Sequence, residues 1–172
     1  TEQDLISPVR KGFIWTQFAL WAFVRDDEKK RFHGFDDYPE IQWLERNWLV
    51  PGILLFLGLF ILGELLAAYR PGLDTSGPQL VVWGGFIGTV YIYQVTSLVN
   101  SWCHLWGSQP HETGDNSRNS ILVGVLALGE GWHNNHHRFP YSERQGIEWW
   151  QIDITHYILY LLSRVGVVSE LK

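Results

Sequence analysis

A chain of 172 residues is long enough for one ordinary domain. Its net charge of −5 includes no basic stripe, so nucleic-acid binding has no electrostatic support. One cysteine excludes an intramolecular disulfide framework and any self-contained cysteine-ligated iron–sulfur or zinc site. The seven histidines then make imidazole the ligand chemistry for any bound metal.

The aromatic content is 10 Trp, 9 Phe and 7 Tyr. Such side chains suit a membrane interface, though they also fill ordinary cores. There is no methionine, so Thr1 is not a translation start. The expectation is a processed chain or a fragment.

Residues 1–12 (TEQDLISPVRKG) read as a polar loop with no secretory signal. Residues 13–24 (FIWTQFALWAFV) are apolar but fall short of the ~20 residues a spanning helix needs. They predict an interfacial helix. With the charged stretch 25–47 they form a predicted cytosolic segment, residues 1–47.

Two long apolar runs follow, 48–69 and 79–99, separated by the turn-rich linker RPGLDTSGP. Each is long enough to cross ~30 Å of hydrocarbon, so 48–99 predicts a transmembrane hairpin. Glu64, the one charge in the first run, sits near its end and reads as reaching the far interface. Seven Lys/Arg lie in 1–47, one in the linker and five in 101–172. That places both flanks, and every histidine, on the cytoplasmic side.

Residues 100–172 predict a cytosolic cap. Residues 107–120 read as loop, and 121–137 as a helix that starts apolar and ends in histidines, with Asn119 or Ser120 as N-cap. Residues 138–147 read as turn and 148–166 as an amphipathic helix. The fold class is therefore all-α integral membrane protein: a transmembrane helical hairpin plus a cytosolic helical cap carrying a histidine-rich di-metal site.

The chemical signal is GEGWHNNHHRFP, residues 129–140. His133, His136 and His137 stand at i, i+3 and i+4, on one side of a helix, with Asn134 and Asn135 directed away. Three imidazoles there are hard to explain as packing, because each brings nitrogens that need partners. Neutral imidazole is a good ligand for iron, zinc and copper. His136 and His137 diverge by about 100° around the axis, which suits two ions better than one. Asn100 and His104, at i and i+4 after the second apolar run, are the obvious further suppliers.

NSWCHLWG, TGDNSRNSILVGVLALGEGWHNNHHRFP and Trp149-Trp150-Gln151-Ile152-Asp153 together resemble the membrane fatty acyl desaturases of the acyl-CoA delta-9 type. The likeness runs from SPVRKGFIW onward, and the HNNHH box is highly specific. The resemblance implies a histidine cluster that binds two iron ions (Fe2+/Fe3+), with O2 as co-substrate. By position it puts metal ligands on His104, His133, His136 and His137, and a water-mediated contact on Asn100. It also implies a fatty acyl substrate (acyl-CoA or acyl-lipid), a lipid bilayer, and an electron donor such as cytochrome b5 or a ferredoxin-type protein. Arg25 matches a basic position near the acyl-CoA headgroup. Glu130 is a candidate carboxylate to orient a ligand histidine. Gln17 falls where many relatives carry histidine and receives no role. His33, His111 and His156 lack partners at ligand spacing and read as solvated or packed.

Ahead of His104 neither of the family's two earlier boxes, of the forms HxxxxH and HxxHH, occurs here. A C-terminal part without turnover of its own is therefore expected. The rival readings are a related di-iron lipid hydroxylase or alkane monooxygenase, and a decayed, non-catalytic membrane module. A zinc hydrolase is disfavoured because no His-Glu-x-x-His occurs.

Overall fold

The computed structural model describes residues 7–22, 37–169 and 171. Among them every regular element is a helix; only two isolated bridges, Ser108 with Asn119 and Asn119 with Trp132, have extended pairing. The chain divides into two compact units. One is Arg25–Ile92, and the other joins Thr1–Val24 to Tyr93–Lys172.

In the first unit, helix α3 (Pro39–Arg46) forms inside the charged stretch where no element was expected. Proline occupies its first turn, Glu40 lies near the N-terminus and Arg46 in the last turn, so each end meets the helix dipole favourably. Helix α4 (Leu49–Tyr69) is the predicted run 48–69. Its 21 residues make about 31 Å of helix, matching ~30 Å of hydrocarbon. It is apolar all round and barely covered, with Ile53 62% and Leu54 61% exposed. In water such a surface would be unstable, whereas in lipid it is the ordinary state.

The second apolar run is longer than 79–99. It begins at α5 (Gly77–Leu80), widens into π turns over Val81–Ile87 and continues as α6 (Gly88–Ser101). A 3-10 turn, Trp102–His104, ends it. By length and composition, Leu49–Tyr69 and Gly77–His104 are both able to cross a membrane.

Close approach of the two runs depends on small residues. A side chain at Gly63 would strike the Ser76 carbonyl and the Gly77 backbone. The contact lets Glu64 Oε1 accept from the Gly77 amide at 2.9 Å. That amide is one of the orphan donors at a helix N-terminus, where a carboxylate is favoured. Glu64 thus ties the two runs together at their turn. About two turns further from it along the first run, Phe56 meets Phe86 edge to face at 4.9 Å.

In the second unit, α1 (Pro8–Lys11) and α2 (Phe13–Ala22) are fastened to the end of α6. Phe13 packs on Trp102 and Trp106 at 6.2 and 5.6 Å. Buried Gln17 donates to the Gln94 carbonyl (2.9 Å) and Gln94 Oε1 (2.8 Å), and accepts from Ser101 Oγ (2.8 Å). The small core joins Val99 and Cys103 to Val123 of α7 (Ile121–Leu126), with Trp102 and Ala127 packed against them.

The predicted helix 121–137 is broken. Ser120, not Asn119, caps α7 by accepting from the Val123 amide. The chain then leaves helical geometry at Leu128 (φ 55°) and Gly129 (φ 124°), and helix resumes as α8 (His133–Arg138). The left-handed turn is held from outside: the Thr155 amide and hydroxyl both donate to the Leu128 carbonyl, at 2.9 and 3.0 Å. A side chain at Gly129 would run into the Asp153 carboxylate. The last helix is also shorter than 148–166, because Asp153 caps α9 (Ile154–Arg164) at the His156 amide. Asp153 Oδ2 further accepts from the Gln145 and Gly146 amides.

Replacing Gly63 by Val wedges the two apolar runs apart. The purified protein in detergent loses about 1–3 kcal/mol of stability, as overpacked contacts do. Gly58→Val, at an open position of the same helix, leaves the thermal midpoint nearly unchanged.

Candidate metal centre

Two chain segments meet at the site. The 3-10 turn closing the long apolar run delivers His104, and α8 delivers His133, His136 and His137. His104 Nε2 lies 3.1 Å from His133 Nε2. One ligand nitrogen from each of His104, His133 and His137 falls within 4.8 Å of the others. The His133 and His137 ring centres are 4.3 Å apart. His136 stands outside this trio, its ring 5.8 Å from that of His137. Its Nδ1 is buried with no hydrogen-bond partner among the described residues.

Imidazole nitrogens brought this close, beside a buried and unpartnered His136 Nδ1, would be costly in a protein that held nothing there. A divalent metal fits that donor set. Charge points the same way. Burial, then the neighbouring His137, His104 and His136, push the His133 pKa down to about 3. At neutral pH its imidazole is therefore uncharged, the form that binds metal.

Asp115 supplies a carboxylate to the cluster. Its Oδ2 lies 2.5 Å from His137 Nδ1. Burial alone would raise its pKa, but bonds from the Ser117 side chain and amide, from Thr113 and from His137 outweigh this and hold it well below the usual carboxylate range. Nothing in the sequence marks Asp115 as part of the site, because twenty-two positions separate it from His137.

The HNNHH helix is short, and its placement comes from the two asparagines between the histidines. Asn134 and Asn135 are fully buried. Asn134 accepts from the His111 amide (2.9 Å) and donates to the His111 and Ser117 carbonyls (3.0 and 3.1 Å). Asn135 donates to the Gln145 carbonyl and Gln151 Oε1, both at 2.8 Å. Asn119 joins the two: its Oδ1 accepts from both their amides, and its Nδ2 donates to Asn135 Oδ1 at 2.7 Å.

The remaining candidates take these positions. Asn100 lies one turn before His104, exposed, with its Nδ2 donating to the Thr96 carbonyl at 3.1 Å. Glu130 is exposed. Arg25 and His33 lie outside the described residues. His156 pairs with Glu143 at 2.9 Å, and His111 packs its ring on Phe139.

The fatty acid desaturase family matches residues 5–163. The chain is 50% identical, over its whole length and 52% of the relative, to an acyl-CoA C20 delta-5 desaturase of Anemone leveillei. It is 37% identical to a delta-9 acyl-lipid desaturase of Arabidopsis thaliana, covering 53% of it. It is 35% identical to the chloroplastic palmitoyl-monogalactosyldiacylglycerol delta-7 desaturase of that plant, covering 44%. The chain belongs to the fatty acid desaturase family, and it spans about half the length of the curated relatives it matches.

Replacing Asn119 by Ala strands two buried amides and one buried carbonyl oxygen. The variant loses about 3 kcal/mol of stability by denaturant titration, at 1–3 kcal/mol per stranded group less partial relaxation.

Proposed function

We propose that these residues form one arm of the di-iron centre of an O2-dependent fatty acyl desaturase, which inserts a cis double bond into an acyl chain. The observation that carries this reading is the convergence of His104, His133 and His137 at the end of a long apolar helix. Family membership supplies the reaction class.

The ligands in this reading are His104, His133, His136 and His137, with Asn100 contacting a metal through water. His104, His133 and His137 would hold one ion, and the outlying His136 would serve the second. The other ligands of the pair come from beyond this set. When bound, the irons supply an oxidant strong enough for an unactivated C–H bond, which no side chain provides. The reaction served would remove two hydrogens from adjacent carbons and reduce O2 to two waters, with two electrons from a cytochrome b5 or ferredoxin-type donor and two protons from solvent.

The residues of this chain hold and orient; none acts as nucleophile or general base. The two apolar helices cross the bilayer as a hairpin, with the histidines on the cytoplasmic side. The substrate is a fatty acyl chain on coenzyme A or on a lipid, as both kinds appear in the relatives' names. Arg25 is assigned to the acyl headgroup and Glu130 to support of the box.

The test is expression of the protein in a host without its own desaturase, with fatty-acid profiling. The intact protein adds a new cis-unsaturated acid, and His104→Ala or His133→Ala abolishes it. The 172 residues expressed alone give none. Product formation undiminished by His133→Ala sinks the reading.

A further inference from the structure

We propose that Asp115 is a positioning residue for the metal centre, acting through His137. This rests on the di-iron reading above and deepens it. Asp115 Oδ2 accepts the proton of His137 Nδ1, which leaves the lone pair on Nε2. The hydrogen bond also fixes the ring's rotation, so that lone pair is held in one direction and made more basic.

The pairing is built rather than incidental. Asp115 Oδ1 is already engaged by Thr113 Oγ1 and by the Ser117 amide, both at 2.8 Å, so the carboxylate cannot rotate freely. Gln109 Nε2 donates to the Asp115 carbonyl at 2.9 Å and fixes the backbone beneath it. The loop is in turn bonded to the helix that carries His137. Asn134, three residues before His137, donates to the Ser117 carbonyl at 3.1 Å and to Ser117 Oγ at 3.3 Å. Asp115, Ser117, Asn134 and His137 therefore close a ring of bonds that sets the direction of the imidazole.

Stability does not explain the arrangement. The two side chains are 37% and 28% exposed, and exposed ion pairs contribute little to folding. The protein has a second histidine–carboxylate pair, His156 with Glu143. That pair has no part in the cluster and serves as the internal comparison.

The test uses the purified full-length protein, with iron titration, Mössbauer spectroscopy and thermal unfolding on the wild type, Asp115→Ala, Asp115→Asn and Glu143→Gln. Asp115→Ala weakens iron binding roughly 10–100-fold, the usual effect of losing such a partner. It also changes the quadrupole splitting of one iron and leaves the other as it was. Asp115→Asn, which keeps an acceptor oxygen without the charge, recovers part of the loss. Glu143→Gln binds iron as the wild type does, and the thermal midpoints of the Asp115 variants stay close to wild type. Wild-type affinity and spectra in both Asp115 variants overturn the inference while leaving the di-iron reading intact. So does an equal loss of iron in Glu143→Gln. A wild-type protein that takes up no iron overturns the di-iron reading itself.

Discussion

Imidazoles brought nitrogen to nitrogen do not hold themselves there. His104 and His133 face each other at 3.1 Å, and burial with three neighbouring histidines makes a proton on His133 costly. Hydrophobic packing is non-directional and could not enforce such an arrangement. The enforcing structure is polar. Asn119, Asn134 and Asn135 form a buried network in which one side chain accepts from two consecutive amides. Inside a protein a satisfied network of this kind is rigid, and a broken one is expensive. The position of the histidine helix, the loop carrying Asp115 and the turn at Gln145 all follow from it.

The rest of the second unit serves the same end. The break at Leu128 and Gly129 turns the chain so that α8 does not simply extend α7. Thr155, from the start of the last helix, holds that turn in place, and Asp153 leaves no room there for a side chain on residue 129. Val99, Cys103 and Val123 bind α7 to the end of the long apolar run, which brings His104 within reach of the box. In the first unit, Gly63, Gly77 and Glu64 set how closely the two apolar helices approach at their turn.

Much of this was legible in the sequence. An apolar run of that length reads as a helix, and 48–69 became Leu49–Tyr69. His104 and the HNNHH box were readable because imidazoles at helical spacing have few structural uses. What the sequence hid was set by tertiary partners. ILVGVLALG reads locally as helix, and nothing in it announces that Thr155 will hold a left-handed turn at its end. Asn134 and Asn135 were correctly expected to face away from the ligand side, yet not to hold the site together. Asp115 lies in a polar loop like many others, and its partner is distant in the chain. Gln17 carries no signal of a role in the sequence, yet it is buried and ties α2 to α6 through Gln94 and Ser101.

The central claim is that these histidines hold iron, in a pair, at a centre completed by residues beyond them. Anomalous scattering at the iron edge from the full-length protein tests it most directly. The account predicts two iron peaks, one bounded by His104, His133 and His137 and the other beside His136. A single metal, stoichiometric zinc, or iron peaks away from these four side chains would contradict it.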